Sequence, residues 1–211
     1  MAIDKSAQGK GSTLGTRPSF DRLGSLSAHA SIFSREPAMP ATADRPLVQQ
    51  LVIPSAELGL RYAEQLVTTI PADVFAKMPM KDLNSAAFNI GHLSIYGDRI
   101  CSLLGRTDLV QPMPYAVDLF KNGAPCLDQP GLYPAKDVLV STFFERQRRA
   151  IEAYAGASEA ALNAENPAEG RFKEMFPTVG SAVSFLLNGH VQSHLGQISA
   201  WRRVMGLGSA Q

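Results

Sequence analysis

Between Pro177 and Gly206 no proline interrupts the chain, and apolar residues recur at spacings of three and four. Thr178 is a natural N-cap and Gly206 a natural stop, so the stretch predicts one long helix over 178 to 205. Within it, in "LLNGHVQSHLGQISAWRR", stand His190 and His194, two of the four histidines of the chain. On a helix the i,i+4 spacing stacks both imidazoles on one side. Val183, Leu186, Leu187, Ile198 and Trp201 share that side, so both rings are predicted to face a core. Inward polar rings cost free energy unless something satisfies them. A metal ion is one way to do so.

The chain from Leu47 onward carries the same period. "IPSAELGLRYAEQLVTTIP" predicts a first helix with Ser55 as N-cap, Glu57 in its first turn, Leu58, Tyr62, Leu66 and Thr69 along one side, and Pro71 as its end. "PADVFAKMP" predicts a single helical turn. A second helix is predicted over 84 to 104, stopped by Gly105, with Phe88, His92, Ile95, Arg99 and Leu103 in one stripe. Residues 106 to 133, with "QPMPY" and "GAPCLDQPG", form a long connection. A third helix follows over 134 to 155, its apolar side made by Val138, Leu139, Phe143, Gln147, Ala150, Ile151 and Tyr154.

No strand alternation and no internal repeat is present, so the pattern predicts an all-α four-helix bundle over residues 47 to 208. The connection between helices 2 and 3 is long enough to travel the length of a helix, which lets those two run parallel. Residues 1 to 46 are rich in Gly, Ser, Pro and Ala without periodicity and predict a disordered tail. His29 falls in it without an assigned role, and Met39 is an alternative start.

Composition narrows the function. At 45% hydrophobic the chain can fill a core, and a net charge of +1 offers no electrostatic grip on nucleic acid or an anionic membrane. The apolar runs fall short of the roughly 20 residues of a transmembrane helix. No apolar core of a signal peptide follows the N-terminus, so a cytoplasmic protein is expected. Cys101 and Cys126 stand outside any CxxC pattern, which fits a reducing compartment and argues against a cysteine-based zinc site.

The third relevant histidine is His92, near the middle of the second helix on its apolar stripe. His190 and His194 lie near the middle of theirs, so three imidazoles can meet at one height in a bundle. Three neutral imidazoles suit Zn²⁺, Ni²⁺, Fe²⁺ or Mn²⁺, one ion per chain, and leave a coordination position open. The competing reading is three separate core histidines bonded to backbone or side-chain partners. The intervening residues Val191, Gln192 and Ser193 exclude the H-E-x-x-H pattern of a zincin.

"FNIGHLSIYGDRICSLLG", the long connection, and "TVGSAVSFLLNGHVQSHLGQISAWRRVMGL" together resemble the DinB family of the DinB/YfiT-like metalloenzyme superfamily. The resemblance covers about residues 47 to 207, and its most specific part is H-x-x-x-H-x-x-Q in the last helix. It implies a four-helix bundle of up-down-down-up topology. It also implies a divalent metal held by one histidine of the second helix and two of the fourth, here His92, His190 and His194. Phe88 stands where the family usually has tryptophan. Characterised relatives include bacillithiol S-transferases, mycothiol-dependent maleylpyruvate isomerases and the thiol-binding domain of ergothioneine-synthesis enzymes. The resemblance therefore implies activation of a low-molecular-weight thiol at the metal, where a cation favours thiolate over thiol.

Five further residues are candidates to support the metal or to bind substrate. Gln197 can orient a ligand or cap a polar pocket, and Asn89 can face the pocket. Arg99 can bind a substrate carboxylate, against the alternative of an ion pair with Asp98 or Glu145. Tyr62 and Tyr96 can line the pocket through their hydroxyls or pack in the core. Asn188 is predicted to point away, and Arg202 and Arg203 to serve only the helix C-terminus. No Asp or Glu is placed as a general base, so nucleophile activation would fall to the metal.

The expectation is thus a metal-dependent enzyme acting on a small-molecule thiol or other small substrate, by S-transfer, isomerisation or hydrolysis. The alternatives are a non-catalytic metal-binding or stress-response bundle and a plain helical interaction domain. A homodimer remains open.

Overall fold

The computed structural model describes residues 45–210. The expectations for residues 1–44, with His29 and Met39, lie outside the described residues. Within the described span the regular structure is helical, with one isolated bridge between Glu165 and Thr178. The first three long helices are α1 (Leu47–Thr68), α2 (Ala86–Leu103) and α3 (Lys136–Ala155). Two short helices come next, α4 (Glu159–Asn163) and α5 (Arg171–Met175). The C-terminal rod is made of α6 (Val179–Ser184), a π-helical segment (Phe185–His190) and α7 (Val191–Val204). The fold class is therefore all-α, as the periodicity predicts.

Most helix ends have a local chemical cause. Ser85 Oγ accepts the Phe88 amide at the start of α2. Thr178 and Ser181 form a reciprocal capping box at the start of α6. Gly105 and Gly206, with φ of +72° and +74°, take the left-handed conformation that ends α2 and α7.

The start of α1 corrects the sequence reading. The helix begins at Leu47, so Ser55 is not its cap, Glu57 lies beyond its first turn, and Pro54 sits inside it with its ring exposed. A proline forfeits one helical hydrogen bond. The early turns are held instead by tertiary contacts: the buried Gln49 donates through Nε2 to Tyr154 O and Ala157 O at the end of α3, and Ile53 is buried. The inward face of α1 is Ile53, Ala56, Gly59, Ala63, Leu66 and Val67, while Leu58 and Thr69 are exposed. At Gly59 this face meets α7: a Cβ there would stand 2.9 Å from the side-chain tip of Gln192, Nε2, and 3.8 Å from Val191 Cγ1.

Helices α2 and α3 approach closely at Gly97, where a Cβ would lie 2.7 Å from the Arg146 backbone. Beside this contact Arg146, only 3% exposed, pairs with Asp98 and donates from Nη2 to Gln111 O and Pro112 O, both at 2.9 Å. One guanidinium thus fastens the long connection to both helices. At the other end Arg202 donates to Leu66 O at 2.7 Å and ties the close of α7 to α1.

The π segment is the second departure from expectation. Periodicity predicted an unbroken α-helix across 178 to 205. A single wide turn carries one extra residue and rotates the residues before it relative to those after it, a feature frequent at functional sites. Ser193 Oγ takes up the Gly189 carbonyl at its exit, at 2.7 Å.

Candidate metal centre

His190 closes the π segment and His194 lies one turn into α7, while His92 is the centre of α2. Their rings meet. The His92 centroid is 5.2 Å from that of His190 and 4.6 Å from that of His194, and the last two are 4.8 Å apart. One ligand nitrogen from each lies within 4.8 Å of the others, a group able to hold a metal ion.

Two tautomers are set by the surrounding hydrogen bonds. His92 Nδ1 donates to the carbonyl of Phe120 at 2.6 Å, which leaves Nε2 as a lone pair directed at His190 Nε2, 3.2 Å away. His194 Nδ1 bonds to Asn89 Oδ1 at 2.7 Å. The orientation of that amide is fixed, because Asn89 Nδ2 donates to Asn84 O and Ser85 O. Oδ1 must therefore accept, Nδ1 of His194 must carry the proton, and its Nε2 is free to ligate.

The group fits a divalent ion. With metal–nitrogen bonds of about 2.0–2.1 Å, neighbouring ligand nitrogens of a tetrahedral ion stand about 3.3 Å apart, close to the 3.2 Å between His92 Nε2 and His190 Nε2. The buried His190 Nδ1 has no hydrogen-bond partner, so the protein leaves this ring's polar demand partly unmet. Burial keeps all three rings neutral, the form that ligates. His190 is held down to about 3 by desolvation, then by His194 and His92. His194 is held at about 4 by desolvation and His92. His92 is lowered by desolvation, against the opposing pull of the Phe120 carbonyl.

The imidazoles lie on the wall of a cavity of about 530 Å³, lined also by Asn84, Phe88, Tyr96, Arg99, Lys121, Phe172 and Phe185. Tyr96 joins the site, its ring 4.3 Å from that of His190, and its hydroxyl is pushed above the usual tyrosine range by burial, with Arg99 opposing. Arg99 also lines the cavity, with its guanidinium 5.5 Å from the Phe172 ring centroid. The ion pair considered for it does not form. Asp98 is taken by Arg146 and, at 3.7 Å, by Arg149.

Gln197 lies behind the site rather than in the cavity wall, its Oε1 3.4 Å from the Nδ2 of the wall residue Asn84. Tyr62 is not in the cavity wall; it packs half-buried against the core that holds Leu66 and Trp201. Asn188 points toward α1, donating to Val52 O at 3.4 Å.

Sequence reasoning missed Phe120, Asn84, Phe172 and Phe185. Phe120 comes from the long connection, where no periodicity exists to place it. The one available signal was Gly91 beside His92: a Cβ there would lie 2.3 Å from the Phe120 ring, so the glycine makes room for the aromatic whose carbonyl orients His92.

Comparison with known proteins identifies the family of the chain. The sequence model described as the DinB superfamily matches residues 56–198. No curated protein and no solved structure gives a match. Among the described residues no helix is long and apolar enough to cross a membrane.

Proposed function

The chain belongs to the DinB superfamily, and from that membership and the imidazole cluster we propose that it is a metal-dependent enzyme that activates a low-molecular-weight thiol, or water, for attack on a small electrophile. The observation that carries the reading is the meeting of His92, His190 and His194 within 4.8 Å at the wall of an open cavity of about 530 Å³. A structural ion needs a closed shell of four protein ligands, whereas three ligands facing a cavity leave room for a reactant. Zn²⁺, Ni²⁺, Fe²⁺ or Mn²⁺, when bound, supplies the positive charge that favours thiolate over thiol.

The chain's own groups do the rest. Phe120 O and Asn89 Oδ1 hold two rings in the ligating tautomer. Phe88, stacked on His92 with centroids 6.2 Å apart, and Phe185 limit water on the apolar side. Among the described residues no carboxylate lines the cavity, so the thiol proton is lost to solvent through the open mouth.

Cobalt substitution tests this. The visible spectrum of the cobalt-loaded protein should gain sulfur-to-metal charge-transfer intensity on titration with a panel of low-molecular-weight thiols, and conjugation of the active thiol to an electrophile should accompany it. A spectrum that no thiol perturbs would remove thiol activation and leave water as the nucleophile.

A further inference from the structure

We propose that the cavity is built for a small molecule with a carboxylate at the end remote from the imidazoles, and that Arg99 is the residue that recognises it. This rests on the reading of the imidazole cluster as a metal centre and adds the substrate class.

The first observation is charge. A divalent ion held by three neutral imidazoles keeps its full double charge, since no carboxylate ligand offsets it. Of the residues lining the cavity, those with formal charge are Arg99 and Lys121, both cationic. Asp98 is drawn to Arg146 and Arg149, and Asp118 pairs with Lys121 at 2.9 Å and so offsets that lysine, which leaves Arg99 as the wall cation with no acid partner among the described residues. Counter-charge for Arg99 and the ion therefore comes with the ligand, and a thiolate alone supplies only part of it.

The second observation is the state of Arg99. It pairs with no acid among the described residues, and its guanidinium lies over the face of Phe172, 5.5 Å from the centroid. A guanidinium held over an aromatic face and without an acid partner keeps N–H donors that can receive a carboxylate bidentately. Lys121, exposed and already paired with Asp118, adds a weaker general attraction.

The third observation is spacing. Arg99 comes two turns after His92 on α2, a rise of about 10 Å, and helical side chains lean back toward the N-terminus. A molecule that reaches both groups is extended and bifunctional, with a metal-seeking head and a carboxylate tail.

The test uses the zinc-loaded full chain, with metal content measured first, and titration calorimetry of three alkyl hydroxamates of equal length. The hydroxamate supplies the head, and the tails are a carboxylate, a carboxamide and a phosphonate. The carboxylate should bind about tenfold tighter than the carboxamide, the order expected for one charge-assisted bidentate contact. In Arg99→Gln that preference should vanish with zinc content unchanged. Equal affinity for carboxylate and carboxamide would overturn the proposal while leaving the metal centre intact. Tighter binding of the phosphonate would overturn the carboxylate assignment. Failure of the wild-type chain to take up zinc, nickel, iron or manganese would overturn both readings. Because a hydroxamate head replaces the thiol, the outcome does not depend on whether thiols react.

Discussion

His194 and Asn89 are joined by a 2.7 Å bond from Nδ1 to Oδ1, and the two carbonyls that hold Asn89 Nδ2 permit that bond only one polarity. The asparagine is thereby a tautomer lock. Asn89→Ala should weaken metal binding by roughly 10- to 100-fold, as loss of such partners does elsewhere, measured by competition with a chromophoric chelator. Asn89→Asp should not restore it, because its second oxygen would face the Asn84 and Ser85 carbonyls. Full affinity in Asn89→Asp would show that the amide is not the lock.

Gly91 and Phe120 form the matching device on His92. In Gly91→Ala the new methyl meets the Phe120 ring, so the ring and the carbonyl beside it must move. The variant should lose about 1–3 kcal/mol of stability, the range for overpacking, and should also bind metal more weakly. Gly97→Ala, which presses on the Arg146 backbone instead, should lose stability without changing the metal affinity of the folded fraction. Thermal melts and metal titrations on both variants separate the two effects.

The metal-free protein should weaken in acid. The three imidazoles have folded pKa values below the ordinary 6.5, with His190 at about 3 and His194 at about 4. The unfolded chain therefore binds more protons in this window, and stability rises with pH there. Their contribution is complete above about pH 6.5 and is lost as pH falls from there toward 4. Urea midpoints across that range should drop with acidity, and less steeply in a His190→Leu, His194→Leu double variant. A flat wild-type profile would contradict the buried neutral state of the rings.

Arg146 and Arg149 share Asp98 between α2 and α3. Asp98→Asn leaves a 3% exposed guanidinium without its counter-charge and should cost about 3–5 kcal/mol, read from chemical denaturation. A change under about 1 kcal/mol would mean that Gln111 O and Pro112 O suffice to hold Arg146.

Much of the cluster was legible in the sequence because all three histidines lie on helices, where spacing reports direction. His92 shares a stripe with Phe88, and His190 and His194 share one with Leu187 and Ile198. The tautomer locks were only half legible. Asn89 is one turn from His92 and could be proposed, but Phe120 arrives from an aperiodic connection, and a backbone carbonyl leaves no mark on side-chain pattern. The π turn at Phe185–His190 was invisible for a related reason: a single widened turn has no residue type of its own to mark it in the sequence. The start of α1 was misread because Pro54 looks like a boundary, while the contacts that override it, made by Gln49 to the end of α3, are long-range.

Elemental analysis of the tag-free protein bears most directly on the central claim that His92, His190 and His194 close around one cation. The wild-type chain, loaded and dialysed, should hold about one divalent ion per chain, the stoichiometry of a single three-histidine site. His92→Ala should lose that ion while keeping its helical circular dichroism. A wild-type chain that retains no ion, or a His92→Ala variant that binds it undiminished, would contradict the account.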